Sequence, residues 1–110
     1  MPGISIHVVD VSRGVVGAGM RVELRRGEAV VAGGSTSAKG LFEIGERVPA
    51  GVYDAVFHVA EWYRTQRVSL PAVPFLDVVT YRFGVDDPEQ HYHLPFKCTP
   101  WGYSCFRGGA

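Results

Sequence analysis

Residues 90–110 read QHYHLPFKCTPWGYSCFRGGA, and the reading of this stretch decides the fold. With a side-chain period of two, His93, Pro95 and Lys97 fall on one face of a strand. Pro100 and Gly102 mark a turn, and residues 103–107 read as the returning strand. Pro95 inside the outgoing strand predicts an edge, or a strand end where no ladder hydrogen bond is needed. A histidine and a lysine on one face are poor core residues, so that face is either solvated or lines a site. His91 is read as pointing opposite to His93, a structural residue hydrogen-bonded between strands.

Working outward, residues 75–83 form a strong strand pattern rich in Val, Thr and Tyr, and Asp86-Asp87-Pro88 is a turn. Residues 51–60 read as another strand, with Val52, Ala55, Phe57 and Val59 as its apolar content and His58 on a polar face. Residues 61–66 alone have a helical flavour, and Pro71 and Pro74 close that region. At the N-terminus Ile4, Ile6 and Val8 alternate with Ser5, His7 and Val9, giving a strand with one apolar face. A Gly-rich loop over residues 12–19 leads to residues 20–26, where Val22 and Leu24 alternate with charged neighbours. Gly27-Glu28 then turns the chain back over residues 29–32, and Leu41-Phe42 is a further short apolar segment. Trp62 and Trp101 read as packing residues. Seven or eight short strands at this spacing predict an all-β two-sheet sandwich with one short helix, a single domain over residues 1–110.

Composition excludes several function classes. A net charge of zero supplies no electrostatic drive toward nucleic acid or an anionic membrane. No apolar run approaches the ~20 residues of a membrane span, and MPGISIHVVD lacks the basic start and apolar stretch of an export signal. A cytoplasmic location is expected. Cys98 and Cys105 match no zinc spacing, and parity turns both toward the interior. Small buried residues are the plainest reading; a disulfide and a reactive thiol are the alternatives.

Three segments, IHVVDVSRGVVGAGMRVEL (6–24), FLDVVTYRFGVDDPEQHYHLP (75–95) and PWGYSCFRGG (100–109), resemble the transthyretin-like 5-hydroxyisourate hydrolases in order along nearly the whole chain. The resemblance implies an eight-stranded sandwich with one short helix. It also implies a homotetramer built as a dimer of dimers, with active sites in a central channel at the dimer–dimer interface. The reaction it implies is hydrolysis of 5-hydroxyisourate in purine catabolism, without metal or organic cofactor. Residue by residue, His7, His93, Arg107 and Gly108 stand at family site positions. Three positions differ: Leu41, in Lys39-Gly40-Leu41, replaces the loop arginine; Phe106 replaces a tyrosine; Gly109 replaces a serine, with Ala110 beyond it.

The catalytic set expected from this is His7, His93 and Lys97, with Ser104, Phe106, Arg107 and Gly109 binding substrate. Two histidines can activate water and donate a proton, and the arginine would have anchored an anionic ring. Lys97, on the His93 face, is a candidate to supply that lost charge or, if desolvated, to act as a base or imine-forming amine. Arg47 is a second candidate for the charge. A small heterocyclic or acyl substrate, changed from the parent, is one reading. The competing reading is a transthyretin-like protein that binds a small ligand in the same channel without chemistry, and a structural tetramer is a third.

Overall fold

The alternation of residues 4–9 builds strand β1 (Gly3–Asp10) in the computed structural model, which describes residues 2–109. Ala110, the residue beyond the terminal motif, lies outside the described residues. Ile4, Ile6 and Val8 are buried, as their phase requires. The other elements follow in order: β2 (Val15–Val16), β3 (Arg21–Arg26), β4 (Ala29–Ser35), β5 (Leu41–Ile44), β6 (Gly51–His58), α1 (Val59–Thr65), β7 (Val78–Val85), β8 (His91–Thr99) and β9 (Gly102–Cys105). One sheet runs β2-β1-β8-β9 with β5 also paired to β1, and the other runs β4-β3-β6-β7. The expected all-β sandwich with one helix is therefore what forms. The two-residue β2 falls inside the segment expected to be loop.

Differences at element ends have local causes. Helix α1 starts at Val59, a residue expected in the strand, because the β6–β7 ladder ends at His58 and Val78. The next amide, that of Ala60, donates instead to the Asp77 carbonyl at 3.1 Å. The buried face of α1 includes Trp62 and Tyr63, and the Trp62 indole N–H donates to the Ala18 carbonyl at 2.7 Å. In β6 the inward residues are Tyr53, Ala55 and Phe57; Val52 is out of phase with them and is exposed. Trp101 does not pack as expected. It sits at the tip of the β8–β9 hairpin, 70% exposed, because a turn projects beyond the sheet.

Two contacts fix the sheet that carries the candidate site. Phe57 of one sheet stacks on Phe96 of the other, with ring centroids 3.8 Å apart and planes 6° from parallel. At the end of β1 the fully buried Asp10 carboxylate accepts four hydrogen bonds. The donors are the Ser12 amide (3.0 Å), the Ser12 hydroxyl (2.6 Å), the Arg13 Nε–H (2.6 Å) and the Tyr63 hydroxyl (2.8 Å). Burial pushes this carboxyl up, but those donors outweigh it and hold it below the usual carboxylate range. Cys98 lies 3.7 Å from the same Tyr63 hydroxyl. Burial pushes the Cys98 thiol up to about 11 and the Cys105 thiol to about 12. Both are free thiols on the core side of their strands, which matches small packing residues rather than nucleophiles.

Candidate functional site

The face opposite this core is built by pairing strands far apart in sequence. Strands β1 and β8 run parallel, with Ser5 beside His93, His7 beside Pro95 and Val9 beside Lys97. Strand β5 pairs antiparallel on the other side of β1, placing Leu41 beside His7 and Glu43 beside Ser5. Its approach depends on Gly40, which has φ +77° and accepts the Val8 amide at 2.8 Å. A Cβ there would stand 2.7 Å from the Val8 carbonyl oxygen, so glycine is required. On the far side β9 sets Ser104 beside Lys97. His7, His93, Lys97 and Ser104 thus share one sheet face, of which parity along the outgoing strand had required only the placing of His93 with Lys97.

Pro95 corrects the sequence reading: β8 lies between β1 and β9 rather than at an edge, and Pro95 stands at the middle of that strand rather than at its end. The β8–β9 ladder spans Phe96 with Cys105 to Thr99 with Gly102, and it breaks where Pro95 has no N–H to give. Pairing resumes as a single bridge, in which the Gly108 amide donates to the His93 carbonyl at 2.8 Å. A Cβ on Gly108 would lie 2.8 Å from Pro95 Cγ and 3.0 Å from His93 Cδ2. Glycine therefore lets the terminal segment lie directly against the His93 ring.

His91 corrects the sequence reading. Residues two apart on a strand face the same way, so His91 lies on the His93 face, and it is Tyr92 that turns inward. Its expected inter-strand hydrogen bond does exist. The Ser5 hydroxyl bridges His91 Nε2 at 2.8 Å and His93 Nδ1 at 2.7 Å. Ser5 is a residue that sequence reasoning passed over; its signal, a polar side chain in phase with His7, acquires meaning only once β8 lies alongside. Burial holds the His93 imidazole below its ordinary pKa, with repulsion from His7 and His91 adding to the effect. His93 is therefore neutral at pH 7.

The remaining expected residues divide. Lys97 and Phe106 are exposed neighbours, the Lys97 Nζ 5.7 Å from the Phe106 ring centroid. That exposure does not provide the desolvation on which the amine role depended. With Val11, Thr99 and Tyr103, Lys97 and Ser104 line an open groove of about 370 Å³. Arg107 is not turned into the histidine face in the single chain. Its guanidinium stacks over Tyr92 at 4.2 Å and donates to Gln90 Oε1 (3.0 Å) and the His91 carbonyl (3.2 Å). Gly109 has no neighbour within 4 Å of the place a Cβ would occupy. Arg47 pairs with Glu89 at 2.8 Å, both side chains exposed, while half-buried Leu41 supplies apolar wall beside His7. No cluster of potential metal ligands occurs among the described residues, and no helix there is long and apolar enough to cross a membrane.

A two-sheet sandwich whose outer face carries a neutral, hydrogen-bonded histidine beside a second strand's histidine defines a transthyretin-type scaffold with the groups for acid–base work. Comparison with known proteins agrees. The HIUase/Transthyretin family matches residues 4–108, and the chain belongs to that family. The 5-hydroxyisourate hydrolase of Deinococcus radiodurans is 41% identical over 116 residues, spanning 97% of this chain and 96% of that one. The structure of Klebsiella pneumoniae 5-hydroxyisourate hydrolase superposes with a TM-score of 0.86 at 28% identity, covering 99% of this chain and 100% of that chain. The crystal structure of (S)-allantoin synthase also gives 0.86 at 29% identity; 97% of this chain aligns there, spanning 43% of that longer chain. In sequence and fold the chain is 5-hydroxyisourate-hydrolase-like.

Proposed function

We propose that this protein is a cofactor-free hydrolase that opens the ring of 5-hydroxyisourate or a closely similar small heterocycle, with His93 as the general base. The observation that carries this reading is the Ser5–His93 bond together with the His93 pKa, lowered chiefly by burial: a neutral imidazole held in place on a solvent-reaching face. In the step, His93 takes a proton from water as the water oxygen bonds to a ring acyl carbon. The tetrahedral intermediate collapses, the acyl–nitrogen bond breaks, and the departing ring nitrogen takes up a proton, with His7 as donor. The developing oxyanion needs positive or hydrogen-bonding groups, and Lys97 and Ser104 are the candidates on that face. Full-length similarity to named hydrolases supports the same reading over ligand carriage.

The face is open in one chain, and a channel needs a second copy to close it. β7 and β9 are free sheet edges on one side of the sandwich, with Tyr81 of β7 near Tyr103 and Cys105 of β9. We assign these edges to pairing within a dimer, and the histidine faces to the contact between two dimers. Leu41 in the arginine position and Phe106 in the tyrosine position leave the wall less polar, favouring a substrate with less anionic character than the parent ring.

Two measurements test this. Ultraviolet decay of freshly generated 5-hydroxyisourate should accelerate with wild-type protein and not with His93→Ala; no acceleration at all would remove the parent substrate. Light scattering should give four times the chain mass, and a monomer would refute the shared channel.

A further inference from the structure

The hydrogen-bond chain around Ser5 carries more than the presence of a base. It extends through four groups from three places in the sequence: the Pro2 carbonyl, His91 of β8, Ser5 of β1 and His93 of β8. His91 Nδ1 lies 3.5 Å from the Pro2 carbonyl oxygen, His91 Nε2 lies 2.8 Å from Ser5 Oγ, and Ser5 Oγ lies 2.7 Å from His93 Nδ1. The direction of each bond follows from what each atom can do. A carbonyl oxygen only accepts, so Nδ1 of His91 carries the proton. In a neutral imidazole the other nitrogen is then an acceptor, so the single Ser5 hydroxyl proton points to His91 Nε2. With its proton committed, Ser5 Oγ accepts from His93, whose proton must therefore be on Nδ1. The lone pair of His93 is left on Nε2.

We infer that Ser5 and His91 are positioning residues that fix His93 in its Nδ1–H tautomer, leaving Nε2 as the proton acceptor. The inference rests on the proposed role of His93 as base and adds what selects the basic nitrogen. The reverse polarity, with Ser5 donating to His93 Nδ1, would put the His93 proton on Nε2 and make that nitrogen a donor. Each bond after the Pro2 carbonyl thus has a sign, and the sign decides whether the ring can activate water. Neither residue needs to touch substrate. The other titratable or charged groups around the chain are His7 from β1, Glu43 from β5 beside Ser5, Lys97 farther along β8, and Arg107 donating to the His91 carbonyl. His7 and His91 both oppose a positive charge on His93, which keeps the neutral form, the only form with a tautomer choice, populated.

The direct test is the nitrogen resonances of the three site histidines in the intact protein above neutral pH. His93 should show a protonated Nδ1 and an unprotonated Nε2; the opposite pattern overturns the inference whether or not the protein opens a ring. Ser5→Ala removes the bridge and should give a mixture of His93 tautomers. In the ultraviolet assay its kcat should fall about 100-fold, the scale of a lost general base, with KM nearly unchanged. Ser5→Thr keeps the hydroxyl and should restore both the tautomer and kcat, and His91→Leu should resemble Ser5→Ala. A wild-type tautomer and pH profile in Ser5→Ala would overturn the assignment. Should Ser5→Ala fail to fold, the wild-type and Ser5→Thr spectra still decide it. Should the protein prove inactive on 5-hydroxyisourate, the tautomer measurement decides the positioning role apart from the proposed function.

Discussion

Replacing Gly108 by alanine adds one methyl group where the terminal segment crosses the His93 ring. The new Cβ would stand 2.8 Å from Pro95 Cγ and 3.0 Å from His93 Cδ2, against ordinary contact from 3.4 Å upward. One or both partners must therefore yield, by about 0.6 Å at Pro95 and about 0.4 Å at the imidazole if the backbone stays in place. Pro95 is held in the β1–β8 pairing beside His7, whereas the His93 ring can rotate, at the expense of its 2.7 Å bond to Ser5. A misplacement of ~1 Å in a reacting group costs about 10²-fold, so a shift of half that size predicts a loss of about tenfold in kcat. Stability should change by a comparable free energy. Gly108 is not in a left-handed conformation, so alanine gains ~0.4–1 kcal/mol through the unfolded chain. That gain offsets part of an overpacking cost of ~1–3 kcal/mol. Gly109→Ala is the matched control for folding: with open space around its Cβ in the chain, it should leave urea unfolding unchanged. The assay is initial-rate decay of 5-hydroxyisourate for both variants beside urea unfolding. Wild-type kcat in Gly108→Ala, with an unchanged His93 nitrogen spectrum, would refute the idea that the terminal glycine sets the position of the imidazole.

Other expectations follow from the same geometry. Leu41→Arg puts a guanidinium beside His7; a charge-assisted hydrogen bond is worth ~1.5–3 kcal/mol, so kcat/KM for 5-hydroxyisourate should rise at least about tenfold. A decrease would show the wall to be adapted to a less anionic ring. Because the His93 pKa is lowered from 6.5, the ascending limb of kcat/KM should lie below that value. An ascending limb centred above 6.5 would remove His93 as the base. Asp10→Asn replaces a buried anion by an amide that cannot accept all four bonds, and should cost about 2–4 kcal/mol in urea unfolding with ring opening affected only through folding. In wild type the folded-state pKa of Asp10 is depressed, so its contribution is fully present above the unfolded value of 3.8. It is lost as pH falls through the lower folded value, and an Asp10→Asn protein should lack that acid-side slope.

How much of this was legible beforehand depends on the range of the interaction. Strand alternation is local, and Ile4, Ile6 and Val8 against Ser5 and His7 could be read directly. So could the placing of His93 and Lys97 on one face. What alternation cannot show is which strands become neighbours. The parallel pairing of β1 with β8 joins residues 86 and 88 apart in the chain, and that pairing alone turns Ser5 into a bridge between His91 and His93. His91 needs no long-range information at all: the period of two by itself assigns it to the His93 face. Arg107 shows the converse limit. Its position in the terminal motif was visible, but its guanidinium is set by Tyr92, Gln90 and a carbonyl, none of which a motif specifies.

The same two strands carry the core on one face and the candidate site on the other, and this links stability to chemistry more tightly than a loop-borne site would. Ser5 and His93 can meet at 2.7 Å only if β1 and β8 keep their register, because a slip of one residue would turn every side chain to the opposite face. Register is held from the core side, by Ile4, Ile6 and Val8 beside Tyr92, Leu94 and Phe96, and by the stack of Phe96 on Phe57. It is held again at the strand end by the Asp10 cluster, which reaches helix α1 through Tyr63. Truncating a buried Phe costs ~3–5 kcal/mol, a large part of the ~5–15 kcal/mol by which a domain is stable. The apolar side can therefore vary little, whereas Leu41, Lys97 and Phe106 stand on the outer face, where substitution need not disturb the register. A scaffold of this kind keeps its histidines aligned while the wall around them changes, and the departures at residues 41, 106 and 109 lie on that freer side or in the terminal segment beside it.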